Sequence, residues 1–241
     1  MTEFEQSRWV RPDFAQDYRD NADVFIVERQ RLLAIVQSFY QRFVKDGRPK
    51  RVLDLGCGDG IVTATLAAAD PALSATLVDG SPEMLARAEE RLRGLAGARF
   101  VQASFEELTA EAVGSDYDFI ISSLAIHHLP MAGKAALFEL IHSRLKPGAC
   151  FVNIDVILAP TDRLEQWYLT LWQEWVNERK RRLGITDERF DDITRQYKEA
   201  GENKPDTLHE QLAVLTAIGF QEVDCYYKYG IFTIFGGRRA E

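Results

Sequence analysis

The residues best able to do chemistry stand at the ends of short apolar runs. Val52-Leu53-Asp54-Leu55 leads straight into Gly56-Cys57-Gly58-Asp59-Gly60, three alternate glycines. Glycines suit a loop whose backbone takes positive φ and lets a ligand approach with no Cβ in the way. Asp79 ends the next apolar run, 25 residues after Asp54. There a carboxylate can accept hydrogen bonds from both ribose hydroxyls of a bound nucleoside. Ser81 and Pro82, just beyond, suit an N-cap and a first helical position, so Asp79 has a better placed rival for a capping role. Ser122-Ser123-Leu124-Ala125-Ile126-His127-His128-Leu129 closes a further run. His127 or His128 can take a proton from a weakly acidic N–H, O–H or S–H; alternatively one histidine orients the loop while the other faces solvent. Asp155, at the end of the fifth run, can bind a polar substrate or simply satisfy its own loop.

The elements that must hold these residues follow from the alternation of apolar runs with helical stretches, which builds parallel βαβ units. Strands are expected at 52–55, 75–78, 99–101, 117–122 and 150–156, with helices over 61–69, after Ser81, and over 132–145 until Lys146-Pro147-Gly148 turns the chain. The rhythm breaks over 160–205, which is helical, charged and aromatic, with Trp167, Tyr168, Trp172 and Trp175 at helical spacing, and it reads as an inserted cap. A helix over 208–218, stopped by Gly219, and two β-rich runs, 220–227 and 231–235, joined at Tyr229-Gly230, close the chain as a hairpin. The first 50 residues carry apolar side chains at mostly helical spacing and are expected to pack against or over the core. One α/β domain is expected, divided into N-terminal helices (1–50), a ligand-binding core (51–157), the cap (158–206) and the last helix with the hairpin (207–241).

A dinucleotide-binding loop wants its third glycine five residues after the first, and Ile61 stands there. Gly56, Gly58 and Gly60, with Asp54 two residues before the first, are instead similar to motif I of the class I S-adenosylmethionine-dependent methyltransferases. The 122–129 stretch resembles the SxLxxHHL segment of many small-molecule methyltransferases. The resemblance covers about 51–156, and the closing hairpin extends it to the C-terminal end. It implies an α/β, Rossmann-like seven-stranded sheet in the order 3-2-1-4-5-7-6 with strand 7 antiparallel. It also implies S-adenosylmethionine as cofactor, S-adenosylhomocysteine as product, and in-line displacement onto a small-molecule acceptor. Asp54, Gly56, Cys57, Gly58, Asp79, Gly80 and Ser123 fall where the family binds its cofactor, with Phe105 and Met84 packing on the adenine. Ser104 stands where the family usually places an acidic residue, leaving backbone groups of Ser104 and Phe105 to recognise adenine. Tyr18, Asp155, Trp172 and Tyr227 are the expected substrate contacts, with Tyr226 and Tyr229 under the same cap, and Tyr18 and Arg29 closing over the cofactor.

Composition narrows the class. The formal charge of -8 repels a polyanion, so no nucleic-acid partner is expected, and Arg179-Lys180-Arg181-Arg182 reads as a solvated helix face. The sequence shows no basic start with an apolar stretch and no long uncharged run, so a cytoplasmic protein without a membrane partner is expected. Three scattered cysteines argue against a disulfide framework, and no metal site is expected. His142 and His209 read as structural. The cap's charges and aromatics fit homodimerisation as well as substrate binding. Three rivals remain. The closing part is also similar to carboxy-S-adenosylmethionine synthase, whose insert arginine would fall near Arg195; against it stand Gly58, Ser123 and the absence of a tyrosine near Arg29, and prephenate binding discriminates it. A non-catalytic S-adenosylmethionine-binding subunit is the second. A nicotinamide oxidoreductase is the third, disfavoured by Ile61.

Overall fold

The structure, a computed structural model, describes residues 4–241. Two short 3-10 turns, Phe4–Gln6 and Arg8–Val10, lead into α1 (Pro12–Phe25) and α2 (Arg29–Phe43). Then follow β1 (Arg51–Leu55), α3 (Ile61–Ala69), β2 (Ser74–Asp79), α4 (Pro82–Arg91), β3 (Arg99–Gln102), α5 (Ala110–Val113), β4 (Tyr117–Ser123), α6 (Met131–Arg144) and β5 (Leu145–Val156). The inserted segment carries α7 (Asp162–Leu183) and α8 (Ile193–Glu199), and α9 (Leu208–Ile218), β6 (Phe220–Tyr229) and β7 (Phe232–Arg239) complete the chain. The sheet runs β3-β2-β1-β4-β5-β7-β6, with β7 antiparallel to both neighbours, as the resemblance implied.

Successive side chains of a strand point to opposite faces, and here that alternation divides the core in two. Val52, Phe119, Ile121, Val152, Ile154 and Ile234 pack on the face covered by α2, α3 and α7. Leu53, Leu55, Ile120, Phe151 and Phe235 pack on the other, against Leu137, Phe138 and Ile141 of α6 and Leu215 of α9. Central strands buried on both faces are the continuous apolar runs seen in the sequence.

Local signals set the helix ends. Ser81 accepts from the Met84 N–H and Pro82 opens α4. Thr161 caps α7. Thr207 and Glu210 form a reciprocal capping box on α9, and Gly219 ends that helix in the left-handed conformation. The expected turn at Lys146-Pro147-Gly148 is a correction: α6 ends at Arg144 and these residues lie within β5. Tyr117 pairs with Leu145 while Phe119 pairs with Cys150, so β5 bulges between them, which accommodates a proline that has no N–H for the ladder. Among the described residues no helix is long and apolar enough to cross a membrane.

Candidate functional site

Two cavities lie at the carboxyl ends of the parallel strands, the usual ligand side of an open α/β sheet. The larger, of about 500 Å³, is lined by Gly56, Gly58, Asp79, Gly80, Met84, Ser104, Phe105 and Ser123. The loop after β1 turns tightly, with the Cys57 N–H on Val78 O and the Gly60 N–H on Cys57 O, both at 2.9 Å. Gly56 and Gly58 take φ of +66° and +53°. A Cβ on Gly56 would overlap the Ala125 side chain, whereas a Cβ on Gly58 would meet nothing within 4 Å and project into the cavity. The facing loop is itself strained: Leu124 holds φ +54°, uncommon for a residue with a Cβ, with its N–H on Ile154 O at 2.8 Å.

Asp79 accepts from the Gly58 N–H and from the Ser81 N–H, each at 2.8 Å, one through each carboxylate oxygen. It therefore ties the glycine loop to the start of α4 while lining the cavity, so the nucleoside-facing and capping placements coexist with Ser81 as the formal cap. Burial pushes its pKa up, partly offset by these two N–H groups.

Two expected contacts are corrected. Asp54 is fully buried beneath the loop and does not line the cavity; its Oδ2 accepts from Thr63 Oγ1 at 2.6 Å and its Oδ1 has no hydrogen-bond partner. Desolvation, with the charges of Asp79 and Asp59 behind it, raises Asp54 to about 7. Cys57 points away into the apolar core, because the turn that lifts Gly56 and Gly58 into the cavity puts the residue between them on the other side.

Ser104 lines the cavity, but its N–H and hydroxyl both engage Glu107 (3.2 and 2.8 Å), so the expected adenine contact through the Ser104 N–H is already taken. Glu106, which the sequence reading passed over, lines the cavity two residues beyond Ser104 and supplies the acidic group missing there. Phe4, Gln6, Ser7 and Trp9 also line it, and the Phe4 ring lies on Gly80, leaving no room for a Cβ. Packing of the N-terminal residues over the core was expected only in general terms, since no motif marks them.

The second cavity, of about 250 Å³, lies between α1, the α7–α8 segment and the histidine loop. Trp9, Tyr18, Leu124 and His128 line both cavities, so the two abut. Here the histidines separate. The His128 ring takes the Trp9 indole N–H on Nε2 (3.2 Å) and contacts the Glu202 carbonyl through Nδ1 (3.1 Å). An indole nitrogen only donates and a carbonyl only accepts, so His128 is the Nδ1–H tautomer with both nitrogens used. Burial, and then the neighbouring His127, hold its pKa well below the ordinary histidine value. His127 lines the second cavity with Nδ1 on Asp155 Oδ1 at 2.6 Å. A carboxylate partner fixes the proton on Nδ1 and leaves the Nε2 lone pair available.

Asp155 is only 1% exposed and lines neither cavity; it also accepts from the Val156 N–H (2.9 Å) and Asn153 Nδ2 (3.3 Å). The expected substrate contact at Asp155 is thus corrected to a support for His127. Tyr18 and Trp172 line the second cavity, Trp172 fixed by its indole N–H on Phe25 O at 2.7 Å. Tyr227 is corrected outright: its hydroxyl donates to Glu28 Oε2 at 2.7 Å outside both cavities, and Tyr226 packs on Phe39 of α2. These tyrosines face α2 because β6 is the sheet's edge, remote from the switch point. Arg29 pairs with Asp23 and lines neither cavity. Trp167 is 55% exposed. In the basic run, Arg182 pairs with Glu178 at the surface, whereas Lys180 is buried on Asp191. His142 packs edge-on against Phe220.

Sequence reasoning also missed Lys134. Fully buried on α6, its ammonium donates to Leu129 O and Lys204 O, both at 2.6 Å, and pairs with Asp206. The Lys204 N–H in turn donates to His127 O at 2.8 Å. The exit of the inserted segment is thereby sewn to the histidine loop.

A family model described as a methyltransferase domain matches residues 52–148. Over 185 residues the chain is 30% identical to the carboxy-S-adenosyl-L-methionine synthase of Chromohalobacter salexigens, covering 74% of this chain and 64% of that protein. The chain thus spans just under two thirds of that relative's length. An O-methyltransferase family protein from Burkholderia thailandensis shares the fold (TM-score 0.67, 16% identity, 98% of this chain and 63% of that one). So does human N-acetylserotonin methyltransferase in complex with SAM (TM-score 0.59, 17% identity, 96% and 56%).

Proposed function

We propose, on the premise that this chain belongs to the class I S-adenosylmethionine-dependent methyltransferases, that it transfers a methyl group from S-adenosylmethionine in the larger cavity to a small-molecule acceptor in the smaller. The observation that carries this reading is a second cavity abutting the first and lined by a histidine with one nitrogen held by a buried carboxylate and the other left for an acceptor.

The residues of the larger cavity suit that cofactor. Asp79 can accept from ribose hydroxyls, Met84 and Phe105 supply apolar faces for a base, Glu106 can accept from an exocyclic amine, and Gly58 leaves space that any side chain would fill. When bound, the cofactor supplies an electrophilic methyl group, and the acceptor's lone pair replaces the carbon–sulfur bond whose electrons stay on sulfur. The chain's own work is to align the acceptor, exclude water and take its proton at His127 Nε2, while Asp155 holds the ring.

A second reading, a carboxy-S-adenosylmethionine synthase-like enzyme, is favoured by the similarity to the Chromohalobacter protein. Against it, Arg195 is exposed, pairs with Asp192 and Glu199, and lines neither cavity. The test is a thermal-shift titration with S-adenosylmethionine and S-adenosylhomocysteine, repeated with Asp79→Ala and with prephenate added. A saturable rise in Tm that the substitution removes is expected. No shift from folded, ligand-free protein overturns the reading, and a further rise with prephenate favours the second.

A further inference from the structure

We propose that the acceptor is a planar, uncharged molecule with a phenol-type hydroxyl, bound in the cavity under α7 and α8 with that hydroxyl directed to His127 and Tyr197. The inference rests on the methyl-transfer reading of the same site and adds the acceptor's chemistry.

Shape comes first. Trp9, Phe14, Trp172, Phe190, Tyr197 and Phe232 are all among the walls of a cavity of about 250 Å³. Such walls select flat rings, by stacking and edge contacts, and the volume admits one or two fused rings.

Charge comes second. Two guanidiniums reach this cavity and both are already neutralised: Arg8 by Glu202, Arg189 by Asp17 and Asp187. A carboxylate acceptor would have to break those pairs. A cationic acceptor would find Asp17, the only lining carboxylate among the described residues, committed to Arg189, and would share the space with two arginines. An uncharged ligand incurs neither cost.

The third argument is hydrogen bonding. The Tyr197 hydroxyl is buried and has no partner. A buried orphan hydroxyl is uncommon and costly, and Tyr197 is a lining residue of the cavity, so a ligand oxygen that reaches the hydroxyl would complete it. Burial raises the Tyr197 phenol above its ordinary value and the Asp155 charge adds to this, so the hydroxyl stays a donor. Asp155 also holds His127, and His127 and Tyr197 line the same cavity, which thus offers a base and a donor.

Acid strength selects among hydroxyls. An imidazole base is far better matched to a phenol, with a proton affinity like that of tyrosine (about 10), than to an aliphatic alcohol. The hydroxyl proton passes to His127 Nε2 and later to solvent, and the Tyr197 O–H donates to the oxygen left negative, whose electron pair forms the bond to the methyl carbon.

The experiment is isothermal titration of the protein saturated with S-adenosylhomocysteine, using 2-naphthol, 2-naphthoate and 2-naphthylmethylammonium as probes. The expected result is that 2-naphthol binds about ten-fold or more tightly than either charged probe. Tyr197→Phe should weaken 2-naphthol about five-fold or more while leaving S-adenosylhomocysteine affinity unchanged. With S-adenosylmethionine, 2-methoxynaphthalene should form. Equal or tighter binding of a charged probe, no binding of 2-naphthol, or indifference to Tyr197→Phe each overturns the proposal while the cofactor reading stands. Failure of S-adenosylhomocysteine itself to bind overturns the underlying reading and this one with it.

Discussion

The two cavities abut, yet they are built differently. The larger takes one side of its walls from the ends of β1, β2, β3 and β4, each a short stretch whose own backbone habits place it (a glycine turn, an acidic strand end, a capped helix start), and the other side from the N-terminal turns and residues 201–204. The smaller takes its walls from the N-terminal 3-10 turn, α1, the histidine loop, α7, the 3-10 turn Glu188–Phe190, α8 and β7, elements far apart in the chain. A site made of strand ends is as rigid as the sheet beneath it. A site made between packed elements depends on the clamps that hold them, here Lys134 and the Trp9–His128–Glu202 chain, which border both cavities. The strand-end side of the larger cavity should therefore resist changes in the smaller, while loss of a clamp should disturb the walls between them.

The largest expected effect tests that division. His127→Gln should lower methyl transfer by about 10²–10⁴-fold, the usual contribution of a general base, with cofactor affinity unchanged. Cofactor titration and single-turnover rates on the same protein check it; a parallel loss of cofactor binding would mean the cavities are not separable. Next, Lys134→Ala leaves Asp206 and two carbonyls without their buried cation, and should cost about 3–5 kcal/mol in Tm and denaturant measurements. Where the fold survives, cofactor binding should weaken as well, since Leu129 and Lys204, whose carbonyls Lys134 holds, line the larger cavity.

The larger cavity offers a pH test. Asp54 is raised from 3.8 to about 7, so the folded protein keeps a proton that the unfolded chain releases. Stability from this group is fully present below pH ~4 and declines as pH rises to ~7, by roughly 1.4 kcal/mol per unit. Asp54→Asn should flatten the stability profile over that window and raise Tm at pH 8, since Oδ1 has no bond to lose and the amide oxygen can still accept from Thr63. An unchanged profile by calorimetry from pH 4 to 8 would show that Asp54 is not the group responsible. The smallest effect belongs to the seam. Trp9→Phe removes one hydrogen bond to His128 and should cost about 1 kcal/mol, seen as a small fall in Tm and faster exchange of the N-terminal amides.

Much of this was readable from residue order. Strand alternation and the breaks at Ser81-Pro82 and Gly219 fixed where elements begin and end, and the glycine spacing marked the loop that meets the larger cavity. Three of the misreadings share a cause. Asp54, Cys57 and Asp155 were assigned by position along a motif, but whether a side chain lies over or under its strand depends on the turn that follows and on what packs there. The same limit hid Glu106, whose two-residue offset from Ser104 makes it look unrelated until the loop folds back.

Residue order alone carried the sheet order implied by the family resemblance, the alternate-glycine loop, and the presence of an acidic strand end and a histidine segment. These depend on spacings of a few residues, where backbone sterics and pleat period leave little choice. Only the tertiary structure decided which histidine is available, because the answer lies with partners 119 and 28 residues away: Trp9 occupies His128, and Asp155 orients His127. Packing across such separations obeys no local period, so the acid–base assignment and the shape of the acceptor cavity exist only once the chain has closed.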